Sequence, residues 1–144
     1  MAGKKPLPAP RSSKERGIDS EKITINLGVV DLGQIDLLVE EGFYANRTDL
    51  IRTAIRNQLV VHNDSVKQTI ARRTLALGLQ DFSRADLERA LAAKQMLRIE
   101  VVGLARIADD VPAELARATI ESVRVLGAFH ASDAVRAALA DRMH

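Results

Sequence analysis

The 144-residue chain contains no cysteine and no tryptophan. Without cysteine there is no disulfide, no zinc–thiolate site and no cysteine nucleophile. Aromatic residues make up only 3%, so the core has to be built from Leu, Ile, Val and Ala, for which an apolar content of 47% suffices. Long hydrophobic runs are missing too. The longest are a few residues, as in Val101-Val102-Gly103-Leu104-Ala105, far short of the roughly 20 that cross a bilayer. The basic N-terminus lacks the apolar stretch of a secretory signal, so the expected address is the cytoplasm, with no membrane partner. Of the three histidines, His130 lies far in sequence from His62 and His144, and no H-x-x-x-H or H-E-x-x-H spacing occurs. Gly103 and Gly127 are isolated, with no dinucleotide or P-loop pattern around them. Asp109 and Asp110, before Val111 and Pro112, read as a turn and helix start; paired carboxylates there need not mean acid–base chemistry. Neither an enzyme nor a cofactor is expected.

Formal net charge is only +2, but its distribution is uneven. Lys4, Lys5, Arg11, Lys14 and Arg16 crowd the first twenty residues against Glu15 and Asp19, together with Pro6, Pro8 and Pro10. Residues 1–20 therefore read as a disordered basic tail. Such a tail either keeps the chain soluble or adds phosphate contacts beside a DNA-reading element.

The stretch "EKITINLG", residues 21–28, alternates Ile23, Ile25 and Leu27 with Lys22, Thr24 and Asn26, the period of a strand. No partner strand follows. Leu32, Ile35, Leu38, Val39 and Phe43 recur at helical spacing, with Asp31 expected to cap the start and Gly42 to mark the stop. In "NRTDLIRTAIRNQLVVH", Asn46 is a good N-cap with Asp49 in the first turn. Leu50, Ile51, Ala54, Ile55 and Leu59 form its apolar face. A strand–helix–helix unit of forty residues seldom has enough core to stand alone, and its unpaired backbone groups are costly. Two copies pairing their strands antiparallel about a two-fold axis remove both problems. Ile23, Ile25 and Leu27 then turn onto the helices with Ile51 and Ile55, while Lys22, Thr24 and Asn26 face outward.

Residues 22–61 resemble the ribbon-helix-helix family of bacterial DNA-binding proteins, the group of CopG, Arc, MetJ and ParD. The alternating "KITINL", the amphipathic helix and the opening "NRTDLIRTAIRNQL" carry the resemblance. It implies a homodimer that inserts a two-stranded ribbon into the major groove of double-stranded DNA. Lys22, Thr24 and Asn26 fall at the base-reading positions, and their chemistry suits guanine, thymine and adenine edges respectively. Lys22 replaces the rigid fork of an arginine with one flexible charge. The resemblance also implies that the second helix clamps the phosphate backbone through Asn46, Arg47 and Thr48, where free N–H groups favour an anion. Read without the family, Thr24 and Asn26 are ordinary surface residues, Asn46 is a plain cap, and Arg47, Arg52 and Arg56 simply solvate a helix. Arg52 and Arg56 share a face, which suits a pairing across the dimer.

After His62, Asn63 and Asp64, which look like a hinge, Ser65 is expected to cap a linker helix ending near residue 72. Three similar stretches then follow, with Gly78, Gly103 and Gly127 at spacings of 25 and 24 residues. Phe82, Ile107 and Ala131 lie four residues beyond each, and helical segments with Leu87, Leu115 and Leu139 come next. Each unit reads strand, tight Gly passage, helix. Either this is a small solenoid-like repeat with parallel strands, or it is an ordinary set of βα elements.

The expected fold class is α+β: a ribbon-helix-helix module at 21–62, a linker helix at 63–72, and a βα repeat domain at 73–144. The expected function is sequence-specific transcriptional regulation, by repression, as a homodimer with higher assembly through the C-terminal domain. The alternatives are an antitoxin that represses its own operon, and a scaffolding protein that assembles through the repeats.

Overall fold

The computed structural model describes residues 20–144. The basic tail expected at 1–20 lies, but for its last residue, outside the described residues. Six α-helices and one three-stranded sheet are found among them. The helices α1 (Val29–Glu40), α2 (Arg47–Val61) and α3 (Asn63–Arg73) come first. Then β1 (Ala76–Phe82), α4 (Arg84–Ala92), β2 (Leu97–Ile107), α5 (Ala113–Thr119), β3 (Ile120–His130) and α6 (Asp133–Leu139) alternate. A short 3₁₀ turn at Ala140–Arg142 follows.

Local chemistry sets the helix boundaries. Helix α1 starts two residues before Asp31, behind Gly28 and without a side-chain cap, so Asp31 sits in the first turn rather than capping it. It stops as expected at Gly42, whose φ of +83° is left-handed. The Gly42 N–H donates to Val39 O and the Phe43 N–H to Leu38 O, closing the last turn. Helix α3 begins only one residue after α2 ends, so His62 alone is the joint and Ser65 lies inside the helix, not at its cap. Helix α4 opens with a reciprocal box. Ser83 Oγ accepts from the Asp86 N–H and Asp86 Oδ2 accepts from the Ser83 N–H.

The strands run parallel in the order β1-β2-β3. On β2, Ile99, Val101, Ala105 and Ile107 alternate into one core with Leu87 of α4, Ala116 of α5, and Val135 and Leu139 of α6. The three glycines stand in one register across the sheet. They lie inside the strands, not in a passage between strand and helix as the repeat pattern suggested. Each has positive φ, between +113° and +136°. A Cβ on Gly103 would lie 2.3 Å from Gly78 O, and one on Gly127 2.1 Å from Gly103 O. Close approach of neighbouring backbones, rather than a turn, is what fixes glycine there.

Burial is sharply divided. Among the described residues, every buried side chain falls between Leu87 and Leu139. Helices α1, α2 and α3 bury none.

Candidate nucleic-acid interface

Residues 20–28 form no helix and join no sheet among the described residues. Ile23 is 73% exposed, Ile25 58% and Leu27 40%. Lys22, Thr24 and Asn26 are exposed as well. So apolar and polar residues alternate along a segment whose side chains are all exposed. Leaving three large aliphatic side chains in water is unfavourable by about 25 cal/mol per Å² of apolar area. Further apolar surface lies on the first two helices, at Leu37, Ile55 and Leu59, and between them at Phe43. Ile51 is half-buried and Ile55 largely exposed.

The second helix is set up locally. Asn46 Oδ1 accepts the Asp49 N–H at 2.8 Å, and Asp49 Oδ2 accepts the Ala45 N–H at 3.0 Å. This closes the first turn and makes Asn46 the cap that its position suggests. The backbone N–H groups of Arg47 and Thr48 have no acceptor among the described residues, so the positive end of the helix dipole faces outward there. Thr48 is exposed.

Arg47 has a partner that the sequence pattern does not reveal. Its Nε and Nη2 donate to Asp36 Oδ1 and Oδ2, at 2.7 and 2.8 Å, a two-pronged bridge from α2 to α1. The Arg47 hydrogen bond holds the Asp36 carboxyl below its usual value, and Asp36 in turn raises the guanidinium. Both side chains remain about half exposed, so solvent and salt screen the pair.

A second link runs to the sheet. Glu21 Oε1 lies 2.9 Å from His130 Nε2, at the C-terminal end of β3. This ties the residue before Lys22 to the rim of a hollow of about 400 Å³ lined by Arg106, Asp109, Phe129 and Arg136. The two residues lie 109 positions apart, and no spacing or motif in the sequence singles the contact out. Arg52 and Arg56 are exposed on α2. Among the described residues no group of three or more His, Asp and Glu side chains is placed to hold a metal ion, and no helix is long and apolar enough to cross a membrane.

Neither the curated proteins nor the solved structures give a match to this chain. A family model described as the ribbon-helix-helix transcriptional regulator family does, over residues 18–136. The match reaches well past the 22–61 stretch that carries the sequence resemblance and takes in all three strands of the sheet. The chain belongs to the ribbon-helix-helix transcriptional regulator family.

Proposed function

We propose that the chain is a homodimeric, sequence-specific DNA-binding regulator that represses by occupying its operator. Residues 22–27 of two copies pair antiparallel, and the ribbon so formed enters the major groove. One observation carries this reading: residues 20–73 bury no side chain, whereas the sheet half has a buried core. A second copy supplies the missing cover. Ile23, Ile25 and Leu27 from both chains then close over Ile51 and Ile55, and Lys22, Thr24 and Asn26 stand on the outer face.

Each polar residue has a role in that arrangement. Lys22 donates to guanine O6 or N7, Asn26 pairs with adenine through its amide, and Thr24 meets a thymine methyl or a polar edge. Asn46, Arg47 and Thr48 hold a phosphate at the start of α2 and fix the register of the ribbon. Arg47 exchanges Asp36 for that phosphate, a change between two solvent-exposed charge partners. The antitoxin alternative expects a tail that orders only on its toxin. Here the residues after 75 already form strands and helices around a buried core, which favours the regulator.

Selection of bound DNA from a random pool, using the full chain, tests the reading. A short palindromic or tandem site is expected. Asn26→Ala should then lose the preference for that site and keep salt-sensitive binding to other DNA. A pool that stays random through successive rounds contradicts sequence-specific reading.

A further inference from the structure

Residues 20–28 carry a single acid, Glu21, directly before Lys22. A DNA duplex carries about one negative charge per 1.7 Å of its axis. A loose carboxylate one residue from a base-reading lysine would oppose the approach of that duplex.

The Glu21 carboxylate is not loose. Its Oε1 lies 2.9 Å from His130 Nε2. An ionised carboxylate only accepts, so Nε2 carries the hydrogen and donates it. The bond forms whether or not the ring is charged. Its two ends are held very differently. His130 ends β3, in register with Arg106 of β2. Phe129, just before it, packs against the core. Arg136 of α6 donates from Nη2 to Phe129 O and lies over the ring, 5.5 Å from its centre. Glu21, by contrast, belongs to a segment in neither helix nor sheet. His130 is therefore the fixed end, and Glu21 is the end that is placed. Arg106 and Arg136 line the same hollow, with Asp109 as the one further acid in its wall. The carboxylate is drawn to a rim that suits it.

We propose that His130 is a positioning residue for DNA binding. By donating to Glu21 it holds the one acid of residues 20–28 on the rim of the sheet, away from incoming phosphates. Lys22 is then the charge that the segment presents. The inference rests on the reading of residues 22–27 as the DNA-reading segment, and it gives the end of β3 a part in that reading.

The test is equilibrium binding of the full chain at low salt, to a duplex of random sequence and to the selected site. His130→Ala frees the carboxylate and should weaken binding about two- to fivefold, the scale of one exposed charge contact. Both duplexes should lose alike, because phosphate repulsion is blind to sequence. Raising the salt should shrink the loss. Glu21→Gln removes the charge and should bind at least as tightly as wild type. Adding His130→Ala to Glu21→Gln should then change nothing. His130→Gln, whose amide N–H still donates, should keep wild-type binding. A histidine that merely supports the fold would cost the same affinity whether or not Glu21 had been replaced. That result overturns the proposal. So does a His130→Ala variant that binds like wild type, or a Glu21→Gln variant that binds more weakly. A wild type that binds no duplex at all overturns the DNA reading itself, so the two failures look different.

Discussion

Gly103 and Arg47 show two kinds of residue-scale constraint, one visible in sequence and one not. The 25- and 24-residue spacing of the glycines announces a common position in three units, because a shared backbone geometry needs the same residue each time. What it does not announce is that the position lies within a strand, under a carbonyl, since that depends on the neighbour's register. Gly103→Ala places a Cβ 2.3 Å from Gly78 O at a φ of +136°. It should cost about 4 kcal/mol or more. Gly42→Ala meets nothing within 4 Å and should cost about 1–2 kcal/mol, from the left-handed backbone alone. The shifts in urea midpoint at unchanged slope measure both. Arg47 was legible as a cation at a helix start, but its bridge to Asp36 depends on how α1 and α2 are angled, which no periodicity encodes. If Arg47 leaves Asp36 for a phosphate, Asp36→Asn should tighten binding to all DNA, and Arg47→Ala should weaken it and lower the salt slope by about one unit. Gel shifts across salt concentrations report both.

At the scale of elements, capping chemistry was the most readable feature. Asn46 carries its own signal, because its amide oxygen takes a backbone donor whatever the tertiary context. Asn46→Ala should destabilise α2 by about 1 kcal/mol, seen as a lower melting temperature. Asp31 and Ser65 had the right chemistry and the wrong place. Both helices begin two residues earlier, without a side-chain cap, and nothing local distinguishes a cap from a first-turn residue. The Ser83–Asp86 box gives a pH dependence with a definite sign. The Ser83 backbone N–H, then the Ser83 hydroxyl, with Arg89 adding to them, hold the Asp86 carboxyl below its ordinary value of 3.8. A carboxyl depressed in the folded state contributes stability that is complete above its unfolded value and is lost as pH falls through its folded value. Asp86→Asn, which keeps an acceptor without the charge, should therefore flatten the loss of stability as pH falls from the unfolded value through the folded one. Urea titrations in acid compare the two slopes.

The whole molecule divides into a half with a core and a half without one. The C-terminal half was partly readable, since Leu87 and Leu139 proved buried and the strands parallel. The alternation of Ile23, Ile25 and Leu27 was equally readable, and all three stay exposed here; in the reading proposed above, a second copy covers them. That is the physical limit here: alternation marks a segment with two unlike faces and does not say what lies against either. A shared core makes stability depend on concentration, so residues 20–73 should melt at a higher temperature as the chain is concentrated. Circular dichroism over a hundredfold range follows this. The most direct measurement concerns the outer face of the ribbon. Lys22, Thr24 and Asn26 are replaced together by alanine, and the ratio of affinities for the selected site and for random DNA is compared with that of wild type. The ratio is expected to fall to about one while salt-dependent binding persists; an unchanged ratio would mean that some other surface reads the DNA.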